Sequence, residues 1–169
     1  MFDISENEGF ELIKAGDYEA FVSEVTAPTN INGKMVSNIS YKIREDIDQP
    51  YKNREIKFDY FSDADNMKWK IASLAKALGF FENPETSKDV NGVRKLAFNS
   101  FEDFLNACLN KPLLISVSEE LYVNKKGEEK TKNTVIKYDQ TKSDVKFEAP
   151  VTVEVNDTMS AEEAEELPF

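Results

Sequence analysis

The chain contains no histidine and a single cysteine, Cys108. Without imidazole it lacks the usual general base, the Ser/His and Cys/His nucleophile pairs and most zinc sites. One thiol makes neither a disulfide nor a thiolate pair for a metal. Cys108 lies on an apolar helical stripe and reads as a small buried hydrophobe. Asp59, Asp63 and Asp65 invite a magnesium-nuclease reading, but no general base or third ligand stands at motif spacing, and a helix cap accounts for Asp63 and Asp65. None of the six glycines stands at phosphate-loop spacing. The residues therefore predict no enzyme, no metal and no cofactor. They do offer binding chemistry. Lys125, Lys126, Lys130, Lys132 and Lys137 crowd one segment beside Tyr122 and Tyr138, and Tyr51, Lys52 and Arg54 form a second basic and aromatic group. Ammonium groups track phosphates, and ring faces stack on bases of any identity at ~1–3 kcal/mol each.

The charge is unevenly spread. The net value is −11 from 21 basic and 32 acidic residues, which alone argues against a nucleic-acid partner. Seven of those acids, Glu148, Glu154, Asp157, Glu162, Glu163, Glu165 and Glu166, lie in 147–169 with no lysine or arginine among them. Segment 1–33 is also acidic, while segment 122–138 is basic, five lysines against Glu128 and Glu129. This asymmetry predicts a solvated tail and a local basic surface on an acidic body. A length of 169 residues suits one domain, expected over 1–146, and an appendage over 147–169 that is disordered when free. No apolar run approaches the ~20 residues of a membrane span. The acidic opening "MFDISENEGF" lacks a signal-peptide pattern, so a reducing cytoplasm is the expected compartment and no membrane partner is expected.

Hydrophobic periodicity supplies the elements that would hold these groups. "DYEAFVSEV" (17–25) alternates as a strand, with Tyr18, Ala20 and Val22 on one side. "APTNINGK" (27–34) reads as a loop. "NISYKIRED" and "REIKFDYF" alternate as the second and third strands. Strict alternation puts Ile39, Tyr41, Ile43, Ile56 and Phe58 inside, and leaves Lys42, Arg44, Lys57 and Phe61 outside. Phe61 has a second reading, packing under the helix that follows. From Met67 the stripe Met67, Ile71, Leu74, Ala75 and Leu78 marks that helix, with Ser62 or Asp63 as its cap and Gly79 as its end. Trp69 lies off the stripe and is expected to pack against the bottom of the domain. "FENPETSKDVNG" reads as loop, and "SFEDFLNACLNK" as a shorter helix capped by Ser100. "PLLISVSEELYV" and "NTVIKYD" read as strands joined by the basic hairpin turn "NKKGEEKTK". "QTKSDVKFEAP" reads as linker. "VTVEV" (151–155) alternates without a hairpin signal before it.

The order β-β-β-α-α-β-β is that of an oligonucleotide-binding barrel, a five-stranded fold with its helix between strands three and four. The ending "EEAEELPF" resembles the C-terminal tip of bacterial-type single-stranded DNA-binding proteins. "AGDYEAFV", "WKIASLAKALG" and "NTVIKY" resemble short bacteriophage single-strand-binding proteins, a likeness that spans nearly the whole chain. It implies a mainly β domain with helices, binding single-stranded DNA during phage replication and recombination in the bacterial host cytoplasm. On this fold the strand-two and strand-three surface holds the ligand. The implied DNA contacts are Lys42, Arg44, Tyr51, Lys52, Arg54, Lys57, Phe61, Tyr122, Lys125, Lys126, Lys130, Lys132 and Lys137. Replication or recombination proteins would dock on Glu165, Glu166, Leu167, Pro168 and Phe169, the ring and carboxylate of Phe169 entering a partner's pocket. The resemblance leaves homo-oligomerisation and DNA-versus-RNA preference open. The competing reading is an acidic DNA mimic that occupies another protein's nucleic-acid site.

Overall fold

The computed structural model describes residues 12–149. The acidic segment beyond Ala149, with its Leu-Pro-Phe ending and the 151–155 alternation, lies outside the described residues. The protein is mainly β with a few helices. Five long strands carry it: β1 (Gly16–Val25), β3 (Lys34–Ile43), β4 (Glu55–Ser62), β7 (Pro112–Val123) and β8 (Glu129–Asp139). A short β2 (Thr29–Ile31) and a separate hairpin, β5 (Ser87–Val90) and β6 (Val93–Leu96), complete the strands. The helices are α1 (Lys68–Ala77), after a single 3-10 turn, and α2 (Phe101–Cys108).

The alternation of β1 and β3 is realised as expected. Tyr18, Ala20, Val22, Ile39, Tyr41 and Ile43 are buried, and they join Leu113, Ile115 and Val117 of β7 in one core. Leu74 and Ala75 of α1 and Phe104, Leu105 and Cys108 of α2 enter the same core. Ser100 caps α2 by accepting from the Asp103 amide at 3.1 Å. Gly79, at φ 78°, ends α1 in the left-handed conformation that glycine adopts without strain. Ser62 and Asp63 do not cap α1. Ser62 Oγ accepts from the Ala64 amide, and Asp63 Oδ1 accepts from the Met35 amide on β3.

Two expected loops hold hairpins. Residues 27–34 fold β2 back on β3 through Asn32 and Gly33, at φ 53° and 83°. Asn91 and Gly92, at φ 55° and 82°, join β5 to β6. Both pairs carry the positive φ values of the tight hairpin turn that Asn-Gly favours. The expected linker, 140–150, also departs from the reading, because its described part lies against the body: Thr141 Oγ1 donates to Glu19 Oε1 at 2.5 Å and Phe147 packs on Phe21.

The main sheet is open, where the sequence reading gives a barrel. Its path runs β4-β3-β1-β7-β8, with β2 also on β3, and no ladder joins β4 to β8. Side chains span that seam. The carboxylate of Asp59, with its side chain 7% exposed, accepts from Tyr41 Oη at 2.7 Å and Tyr138 Oη at 2.5 Å. It pairs with Lys70 Nζ of α1 at 2.8 Å. One buried charge thus ties β3, β4, β8 and α1. Hydrogen bonds to the charged acceptor offset its desolvation.

The inward turn of Asp59 has a cost in register. Ile39 faces Asp59, but Tyr41 faces Ile56, so β4 carries one extra residue at a bulge. Phe58 lies there at φ 69°, a conformation strained for a bulky residue. The bulge reverses the alternation beyond it. Phe58, expected inside, is 72% exposed, and Phe61, expected outside as a DNA contact, is 0% exposed.

Removing one partner from the Asp59 cluster strands a buried charge, at about 1–3 kcal/mol per bond. Tyr138→Phe and Tyr41→Phe should each lower urea stability by that amount, and Phe at both positions by more. The pH dependence has a defined sign. Burial first, and the Asp59 charge second, hold the Tyr41 and Tyr138 hydroxyls well above the ordinary tyrosine value of 10.0. The folded state therefore keeps these protons where the unfolded state releases them, and stability falls as pH rises above about 10. The doubly substituted protein should show a shallower alkaline loss; an identical slope in both proteins would remove the cluster from this role.

Candidate nucleic-acid interface

The exposed rings gather around the β4–β8 seam. Lys57 and Phe58 of β4 line a cleft with Tyr122 of β7 and Lys132 of β8. Strand pairing places Glu120 opposite Lys132 and Tyr122 opposite Lys130, on one face of the β7–β8 arm. Lys132 Nζ stands 5.3 Å from the Tyr122 ring centroid and 3.9 Å from Glu120 Oε1. The turn beyond is fixed by Asn124, whose Oδ1 accepts from the Lys126 and Glu128 amides at 2.9 and 3.0 Å. Lys125 and Lys126 are held exposed at its tip.

A second cleft lies across β8. Trp69, Lys70 and Lys76 of α1 face Ile136 and Lys137 of β8, with Lys142 at one end. Val135 lines both clefts, so they flank one strand. Trp69 is 64% exposed, whereas the sequence predicts that it packs. Lys137 stands 3.6 Å from Asp139, a surface pair that contributes little. Sequence reasoning missed Phe58, Trp69, Lys76 and Lys142. Only the off-stripe position of Trp69 hinted at exposure; nothing in the β4 sequence announces its bulge.

The structure thus brings Lys57, Tyr122 and Lys132 together, sets Lys130 beside them, and puts Lys137 across the strand. The remaining expected contacts lie elsewhere. Tyr51 is half-buried and meets Tyr18 edge-on at 5.8 Å, while Arg54 lies 5.9 Å from the Tyr51 ring. Lys52 is exposed on the same turn. Lys42 and Arg44 belong to a third depression, shared with Phe21 and Phe147.

Arg44 corrects the sequence reading. Its side chain is 1% exposed, not free on the outer face. Nε and Nη2 donate to Asp46 at 2.9 and 2.8 Å, and Nη2 also donates to the Val145 carbonyl at 3.0 Å. The Arg44 hydrogen bonds hold the Asp46 carboxyl below its ordinary value. Residues 141–148, read from sequence as linker, supply the cover that alternation alone cannot foresee.

Asp59, a magnesium-ligand candidate by sequence, is engaged by two tyrosines and a lysine. Among the described residues no three His, Cys, Asp or Glu side chains gather as a metal site, and no helix is long and apolar enough to cross a membrane. Burial raises the Cys108 thiol well above its usual range, which disfavours the reactive thiolate.

No curated protein matches the chain. A family profile does match, over residues 1–157, and its description is "Protein of unknown function (DUF669)". That span covers most of the chain, including all of the strands described above, and the protein belongs to this family.

Proposed function

We propose that this protein binds single-stranded DNA without strong base preference, as a non-enzymatic coat for exposed strands in phage replication and recombination. Phe58 carries the reading: a large ring, 72% exposed, held at a strained positive φ beside Lys57, Tyr122 and Lys132. Strain of about 1–3 kcal/mol persists where function uses it. Tyr122 and Trp69 add rings that are 39% and 64% exposed, beside lysines in the two clefts that flank β8. Stacking on rings with ammonium groups along the backbone is the chemistry of sequence-tolerant single-strand binding. The strand order, with helices between β4 and β7, supports an oligonucleotide-binding barrel left open at the β4–β8 seam. The segment 147–169 would recruit partner proteins in the bacterial cytoplasm through Glu165, Glu166, Leu167, Pro168 and Phe169, all outside the described residues.

A titration of fluorescent oligothymidine at low and high salt tests the reading. Binding should be tight and weakened by salt, since each phosphate held by a cation adds about 0.7 to the log–log slope. No binding, together with capture of a basic nucleic-acid-binding protein, would favour the DNA-mimic reading that the net charge of −11 suggests.

Two sets of substitutions locate the surface. Phe58→Gly should cost ~1–3 kcal/mol in binding. It should leave folding stability unchanged or raise it by up to about 2 kcal/mol, because glycine accepts the positive φ. A variant that melts early and binds normally would make Phe58 a structural residue. Replacing Lys125, Lys126, Lys130 and Lys132 together by Ala should flatten the salt dependence by about 0.7 for each phosphate that the arm neutralises; an unaltered slope makes the arm a bystander.

A further inference from the structure

The depression over Arg44 has features that its structural role leaves unexplained. Arg44 Nη1 is buried and makes no hydrogen bond, although its neighbours Nε and Nη2 are both engaged. A buried guanidinium N–H without a partner is disfavoured and is uncommon in folded proteins. Above it lies an aromatic sandwich. The Phe147 ring sits 4.8 Å from Phe21 at 33°, and the Arg44 guanidinium carbon is 5.0 Å from the Phe147 centroid. Phe21 projects from the outer face of β1 directly opposite Lys42 of β3. Phe147 therefore occupies the position a stacked base would take: one face on a ring, a guanidinium against it, and a lysine nearby.

Its segment is lightly held. Asp144, Val145, Lys146 and Glu148 are exposed, and the Val145 carbonyl bond to Arg44 is the anchor nearest the ring. The chain continues from here into a segment whose acids are unaccompanied by any base. If 143–148 lifts, Arg44 Nη2 loses the Val145 carbonyl, and Nη1 is uncovered beside it. Two N–H groups then face outward while Asp46 keeps the guanidinium oriented. A phosphate oxygen satisfies both, at the charge-assisted strength that arginine and phosphate share. Glu45 and Asp46 at the rim oppose an anion; Lys42 remains, while Lys146 and Glu148 both depart with the segment, so its lifting leaves the local charge balance unchanged.

We propose that Phe21, Arg44 and Lys42 form a further nucleotide subsite for the DNA strand, the base on Phe21 and the phosphate on Arg44, which Phe147 occupies until DNA displaces it. This rests on the single-strand-binding reading above.

Phe147→Ala removes the competing ring and should tighten oligothymidine binding by roughly two- to tenfold, the worth of one aromatic pair. Its salt slope should equal that of the unaltered protein, because the same phosphate is held once DNA has displaced Phe147. Phe147→Trp, which keeps a ring in place, should bind as the unaltered protein does. Adding Phe21→Leu to Phe147→Ala should erase the gain. Binding by the unaltered protein with equal or weaker affinity in Phe147→Ala overturns the subsite and leaves the single-strand reading standing. If neither protein binds oligothymidine, both fall. Thymidine monophosphate should not bind Phe147→Ala measurably; saturable binding would assign a free-nucleotide site and overturn the strand subsite. Amide exchange in the unaltered protein needs no variant. With oligothymidine present, residues 143–148 should exchange faster and 19–22 slower, whereas protection of both segments would show that Phe147 stays in place.

Discussion

A single buried carboxylate sets the register of the fold. Asp59 must receive the Tyr41 and Tyr138 hydroxyls and the Lys70 ammonium, because an ionised group this deep is tolerated only when paired and hydrogen-bonded. Those partners come from β3, β8 and α1, so the requirement fixes how three elements meet β4. It also forces β4 to turn Asp59 and Phe61 inward, although Ile56 already faces the core. Three side chains at odd and even positions cannot all point one way on a regular strand. The bulge resolves the conflict, and the strain and exposure of Phe58 follow from it. Lys70 contributes twice more, donating to the Tyr60 carbonyl at 2.6 Å and lying 4.6 Å above the Phe61 ring. The exposure of the Phe58 ring is therefore a consequence of the polar centre of the fold.

Charge acts here by location rather than by sum. A net value of −11 repels a polyanion at long range. Beyond about 8–10 Å, however, such a field is screened at physiological ionic strength. The lysines around β8 are close neighbours of the exposed rings, inside that distance of any strand that stacks there. Seven of the 32 acidic residues, with no lysine or arginine among them, lie in 147–169. Lysines near the rings are also partly paired, as with Glu120 and Lys132 and Asp139 and Lys137. These exposed pairs are weak enough for a phosphate to exchange with the carboxylate.

Periodicity made much of the scaffold legible. The alternation in β1, β3 and β7, the helical stripe before Gly79 and the Ser100 cap all read directly from residue type and spacing. What escaped the reading depends on long-range partners. Phe58 and Phe61 exchange faces because Tyr41 and Tyr138, far apart in sequence, both require Asp59. Arg44 reads as an outward strand residue until a segment a hundred residues later covers it. The Asn-Gly turns at 32–33 and 91–92 differ in kind: the local signal is present, and short strands of three and four residues give too little alternation to confirm it. In the site, the lysine arm is visible as composition, while the rings facing it are hidden by the bulge and by an exposed tryptophan that looks like a packing residue.

The open seam poses a problem that its side chains answer. Where β4 and β8 fail to pair, each presents backbone groups that could recruit another chain. A bulge interrupts β4, which makes it a poor template. Lysines at 130, 132 and 137 decorate β8, and Asn133 holds both the Ile13 amide and carbonyl, at 2.9 and 2.8 Å, engaging the incoming N-terminal segment there. The devices that discourage edge-to-edge pairing are a strand-breaking bulge, outward charge and a local cover. In this protein the bulge also exposes a ring and the charge is cationic. On the proposed single-strand-binding reading, the same features that keep a second β-strand away from the seam serve a flexible polyanion with flat bases, which needs rings and ammonium groups rather than a ladder.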